Sequence, residues 1–109
     1  SFIYALVDGF VRLADNDQQH MLIVHTDETL PDIYAQYADE QQIAHSIGLI
    51  IRAPQKGEPH FSLNKVFNSG VGESDLPMSI QCAKALHERS NTLLVHNTLE
   101  HDWQLTYHA

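Results

Sequence analysis

The chain is predicted to fold as an α+β domain: a largely antiparallel sheet with two helices, in the order β-β-α-β-β-α-β-β. Three observations predict this. Short stretches rich in β-branched and aromatic residues recur between turn signals. Two segments place a capping residue and a proline just ahead of a helical apolar pattern. At 109 residues the chain has room for one core, so residues 1–109 are read as a single domain. With 43% hydrophobic and 18% charged residues, the composition is that of a globular protein and not of a disordered one.

Residues 2–13 (FIYALVDGFVRL) are rich in strand-forming side chains. They are read as one long strand bulged at Gly9, or as a hairpin turning at Asp8-Gly9. After the polar turn 14–19, residues 20–26 (HMLIVHT) form a second strand, expected to pair antiparallel with the first. Thr29, Pro31 and Asp32 mark a helix start, and Ile33, Tyr37, Ala44 and Ile47 fall near one face of a helix that ends about Gly48. Residues 49–53 then make a strand, 54–59 (PQKGEP) a hairpin connection, and 60–67 (HFSLNKVF) the next strand. The loop 68–75 leads into the second helix, 76–89, capped by Ser74 or Asp75 with Pro77 in its first turn. Leu76, Ile80, Ala83 and His87 share one face of it; Met78, Cys82, Ala85 and Leu86 widen that face. Gln81, Lys84 and Glu88 form the polar stripe. Residues 91–96 and 103–108 are the last two strands, joined by a turn over 98–102. The expected core is Leu6, Leu22, Val24, Ile50, Leu63, Ile80, Ala83, Leu86, Leu94 and Trp103.

Six Lys and Arg against fourteen Asp and Glu give a formal charge of −8. The six basic residues are scattered singly, whereas nucleic-acid binding needs a basic patch that neutralises several phosphates. Nucleic acid and anionic membrane surfaces are therefore excluded as partners, and a basic protein partner is favoured by the same field. The longest apolar runs, such as 21–24 and 47–51, fall far short of the roughly 18 residues a membrane span requires. The lone Cys82 excludes an internal disulfide. With no basic-then-apolar leader, the chain reads as cytoplasmic.

No sequence fingerprint names a reaction. The Gly70–Gly72 loop before the second helix lacks the spacing of the nucleotide-binding motifs, and Glu73 and Asp75 set negative charge where a phosphate would sit. The eight histidines raise a metal site, with His96, His101 and His108 as the set that paired C-terminal strands could bring together. No HExxH or paired CxxC supports it, and scattered surface histidines are preferred. His20 and His25 are five apart and face opposite sides of one strand. Cys82 lies mid-helix on the apolar side, unlike reactive thiolates, and is read as a core residue. The acid pairs Asp27/Glu28 and Glu100/Asp102 are read as solvated turns, and Trp103 as a core anchor.

These readings lead to a small, acidic, non-catalytic protein-binding domain, a regulator, inhibitor or assembly partner. It carries no cofactor and is able to form a homodimer through its apolar second helix or an edge strand. Its binding residues would be the loop acids Asp27, Glu28, Glu73 and Asp75. The alternative is a small-molecule or metal-binding sensor built on the His-rich strands.

Overall fold

The computed structural model describes residues 2–16, 19–27, 45–67, 76–95 and 101–109. Their elements are α1 (Phe2–Asp15), β1 (His20–Asp27), β2 (His45–Arg52), β3 (His60–Phe67), α2 (Met78–Glu88), β4 (Thr92–Leu94) and β5 (His101–His108). The fold is α+β with antiparallel sheets, as the sequence predicts. The strands divide, however, into a two-stranded sheet, β1-β2, and a three-stranded sheet, β3-β5-β4.

The first predicted strand is instead helix α1. Phe2, Ile3, Leu6, Gly9 and Leu13 are its buried residues, and their spacing follows the 3.6-residue period of a helix. On the solvent side Arg12 Nε donates to Asp8 Oδ2 at 2.9 Å, one turn apart. Strand-forming composition misleads here because packing on one face outweighs a propensity difference of about 1 kcal/mol. Gly9 is no bulge. It lets α1 lie close on the first sheet: a Cβ there would stand 3.0 Å from Ile23 Cδ1 and 3.2 Å from Ile51 Cδ1.

β1 therefore has no partner in residues 2–13. It pairs with β2 over its whole length, from His20 opposite Arg52 to Asp27 opposite His45. Most of the first predicted helix lies outside the described residues, and its C-terminal part, 45–48, is strand. The inward phase of this sheet is Ile23 with the half-buried Met21, His25, Ile47, Leu49 and Ile51. Leu22, Val24 and Ile50, expected in the core, point outward and are 65%, 63% and 76% exposed. Both strands carry apolar residues on both phases, so alternation alone does not say which face turns inward.

Residues 54–59 do not close a hairpin, since β2 and β3 belong to different sheets. The turn is local: Glu58 N–H donates to Gln55 O at 3.0 Å, and Gly57 takes φ +79°, which favours glycine. β5 lies at the centre of the second sheet. It pairs with β3 from His60 opposite His108 to Phe67 opposite His101, and with β4 from Thr92 opposite Leu105 to Leu94 opposite Trp103. His101 and Asp102, expected in a turn, are its first two residues.

Helix α2 begins after Pro77, whose carbonyl accepts from Ile80 and Gln81 N–H, each at 3.0 Å. It has no side-chain cap; Ser74 and Asp75 lie outside the described residues. It ends at Arg89 in the left-handed region, φ 52°, with Ser90 N–H donating back to Ala85 O at 3.1 Å. Its buried face is Met78, Ser79, Gln81, Cys82 and Ala85; Ile80, Ala83 and Leu86 are half-buried and His87 is exposed.

Gln81, expected on the polar stripe, is buried as a clasp. Its Nε2 donates to Leu76 O at 2.8 Å and to Val95 O at 2.9 Å, and its Oε1 accepts from Val95 N–H at 3.0 Å. It thereby fixes the end of β4 against the start of α2. Phe2, Ile3, Leu6, Ile23, Met78, Cys82, Ala85, Leu94 and Leu105 form the shared core, with Leu63, Leu86 and Trp103 packed on it. Among the described residues no helix is long and apolar enough to cross a membrane.

Two stability changes are expected. Gly9→Leu drives a side chain into Ile23 and Ile51 and lowers stability by about 1–3 kcal/mol, the scale of overpacking. Gln81→Leu keeps the volume but strips three backbone groups of their partner, and lowers it by about 2–4 kcal/mol. Urea unfolding of each variant beside the parent chain measures both. An unchanged midpoint for Gln81→Leu would refute the clasp.

Candidate functional site

Two arrangements carry chemistry. The first is a polar cluster where β1 and β2 meet α2. His45 Nε2 and Ser79 Oγ share a hydrogen bond of 2.6 Å. The His25 ring lies 5.8 Å from that of His45, and Phe2 packs edge-on against it at 5.5 Å. His25 Nε2 is buried and has no hydrogen-bond partner among the described residues. A serine hydroxyl on an imidazole is the geometry of a nucleophile and its base. Ser79 is only 1% exposed, and the pair joins strand β2 to helix α2.

The second arrangement is a cavity of about 500 Å³ among α1, β2, β3, α2 and β5. Its wall is mostly apolar: Leu6, Phe10 and Leu13 come from α1, Leu49 and Ile51 from β2, and Cys82 and Leu86 from α2. Leu6, Cys82 and Leu105, each at most 2% exposed, are the most buried of its lining residues. Ile50, Arg52, Glu58 and His60 line it at the surface.

Arg52 holds Glu58 with both guanidinium nitrogens: Nη1 donates to Oε2 at 2.9 Å and Nη2 to Oε1. Gln55 N–H also donates to Oε2, at 2.9 Å. The hydrogen bonds from Arg52 and then Gln55 hold the Glu58 carboxyl below its ordinary pKa, and the same contact with Glu58 raises that of Arg52. His60 Nδ1–H donates to Glu58 O at 3.0 Å, and its ring stacks on His108 at 4.8 Å. The cavity is thus apolar within and polar, with its charges paired, at its mouth.

Cys82 faces this cavity as a protonated thiol. Burial pushes its pKa up to about 11, leaving on the order of one thiolate in ten thousand at neutral pH. It is a wall residue and not an activated nucleophile, as its mid-helix position implies.

The residues singled out in the sequence are dispersed. Asp27 ends β1 opposite His45 and is half-buried. Glu28, Glu73 and Asp75 lie outside the described residues, as do His96 and Glu100. His101 and His108 stand at opposite ends of β5. Among the described residues no group of three His, Cys, Asp or Glu converges on a metal position. Asp102 is buried within β5, and its Oδ1 has no hydrogen-bond partner among the described residues. The cavity itself escaped the sequence reading, because its residues are the apolar types that also build a core.

Residues 1–109 match the family described as β-ketoacyl synthase, N-terminal domain. The chain belongs to that family. No curated protein and no solved structure matches it. The family is one of biosynthetic enzymes, and this overturns the expectation of a non-catalytic protein-binding domain, together with the sensor alternative. Acidity and the absence of a reaction fingerprint point, in the sequence alone, to a binding module. Neither property distinguishes one from part of an enzyme whose substrate contacts are apolar.

The protonation of Cys82 has a measurable consequence. Labelling of the folded protein by a small thiol reagent is expected to be slow at pH 7 and to rise about tenfold per pH unit toward pH 11. The folded-state pKa is raised, so the associated stability is complete below the ordinary thiol value of 9.0 and is lost as pH rises toward about 11. Fast labelling at pH 7 without unfolding would show an activated thiol instead.

Proposed function

We propose that this chain contributes the acyl-holding part of an enzyme that builds β-ketoacyl compounds. The single observation that carries this reading is the family match over the whole of residues 1–109. The name states the product: the carbonyl carbon of one acyl thioester bonds to the α-carbon of a second, its C–S bond breaks, and the thiol leaves with the proton that the α-carbon gives up. Such a substrate has an apolar chain and a reactive carbonyl end. The apolar cavity with its polar mouth suits that division, and its volume of about 500 Å³ lies in the range of small-molecule sites. The protonated, buried Cys82 suits a surface that holds a chain without reacting with it.

The test is product formation by the full-length protein. Incubated with pairs of acyl thioesters, it is expected to yield a β-ketoacyl product detectable by mass spectrometry. Phe10→Asp, which sets a charge on the half-buried cavity wall, is expected to lower the yield by at least about tenfold through loss of chain binding. Absence of product from every pair tried would refute the reading.

A further inference from the structure

We propose that His60 and His108 together bind one divalent transition-metal ion, of which zinc is the representative, at the surface of the three-stranded sheet. The proposal does not depend on the acyl reading. It begins from register. The two residues stand directly opposite each other, at the start of β3 and the end of β5, and both are exposed. Residues opposite on an antiparallel pair project from the same face with Cβ atoms about 4.5–5.5 Å apart. The two rings lie 4.8 Å apart and 16° from parallel. Two imidazoles sharing one ion, at metal–nitrogen distances of about 2.0–2.1 Å, have centroids roughly 5 Å apart. A turn of each exposed ring about its Cβ–Cγ bond, a broad and soft torsion, aims both lone pairs at one point.

The hydrogen bonds around the pair are a second, independent observation. His60 Nδ1–H donates to Glu58 O at 3.0 Å, which leaves Nε2 of the neutral ring as its lone-pair nitrogen. His108 Nε2 shares a hydrogen bond of 2.8 Å with Ser62 Oγ, which leaves Nδ1 for an ion. A histidine that binds a metal spends its other nitrogen in this way, on a nearby oxygen that orients the ring. Imidazole pairs suit zinc, nickel and copper, and the formal charge of −8 draws cations toward the chain. His25 and His45 also lie close, at 5.8 Å, but His45 Nε2 is taken by Ser79. Two protein ligands are fewer than the three or four of a resident zinc. The ion therefore exchanges with solvent and keeps positions open to water.

The experiment is calorimetric titration of the untagged full-length protein with zinc chloride. It is expected to show a saturable site that is absent from His60→Ala and from His108→Ala. The same site is expected to be unchanged in His20→Ala, at the exposed start of β1, and about tenfold weaker in Ser62→Ala, which loses the ring-orienting oxygen. A second measurement uses the parent chain alone, and so holds even if a variant does not fold. Substoichiometric Cu²⁺ is expected to broaden the imidazole NMR signals of His60 and His108 ahead of those of the other histidines, and EDTA to restore them. Zinc binding equal in the parent and both histidine variants, broadening that begins at other histidines, or no saturable binding by the parent overturns the proposal.

Discussion

The two sheets of this chain share no strand, and everything else depends on how they are joined. No β-ladder runs between β1-β2 and β3-β5-β4, so the junction is made by buried apolar area. The helices supply it. α1 brings Phe2, Ile3 and Leu6, α2 brings Met78, Cys82 and Ala85, and the sheets answer with Ile23 on one side and Leu94 and Leu105 on the other. Gly9 sets the spacing on the first sheet by letting the α1 backbone approach so closely that a Cβ would press on Ile23 Cδ1 and Ile51 Cδ1. The cavity is a product of the same arrangement. Five elements meet there from two sheets and two helices, and their apolar side chains line a space they do not fill.

Non-directional burial joins the layers, and directional bonds then fix their register. Gln81 ties the end of β4 to the start of α2 with three hydrogen bonds, so the helix can neither slide nor rotate without leaving buried backbone groups unpaired. His45 and Ser79 do the same between β2 and α2. At the cavity mouth the Arg52–Glu58 pair is exposed and adds little to stability, but it gives the rim a fixed shape. The Cys82 thiol shows the electrostatic side of the same burial, since the apolar surroundings that make it a good wall also keep its proton on.

Much of this was legible in the sequence. Strand β3 falls at residues 60–67 as read, β1 is one residue longer than expected, and the second helix and the buried Cys82 follow from their patterns. The misreadings have separate causes. In α1, β-branched and aromatic residues suggested a strand, while the spacing of Phe2, Leu6, Gly9 and Leu13 carried the helical period. In β1 and β2 the inward phase was undecidable because Leu22, Val24 and Ile50 are as apolar as Ile23, Leu49 and Ile51. Gln81 was placed on the solvent face by its polarity alone. A glutamine satisfies three backbone groups at once only when the fold brings Leu76 and Val95 to it, and that lies beyond any local pattern.

The site was illegible for a different reason. A catalytic motif can be read from a sequence because polar residues at fixed spacing are rare and need explaining. An apolar cavity has no such mark. Leu6, Leu49, Phe61, Cys82 and Leu105 are scattered along the chain and are the same types that close a core. Whether such residues meet and seal, or meet and leave space, is decided by the separation of helices and strands, to which the close Gly9 contact between α1 and the first sheet contributes here. The conspicuous features of the sequence, its −8 charge and eight histidines, therefore drew attention to the surface. The apolar cavity lies among residues whose only signal is that they are apolar.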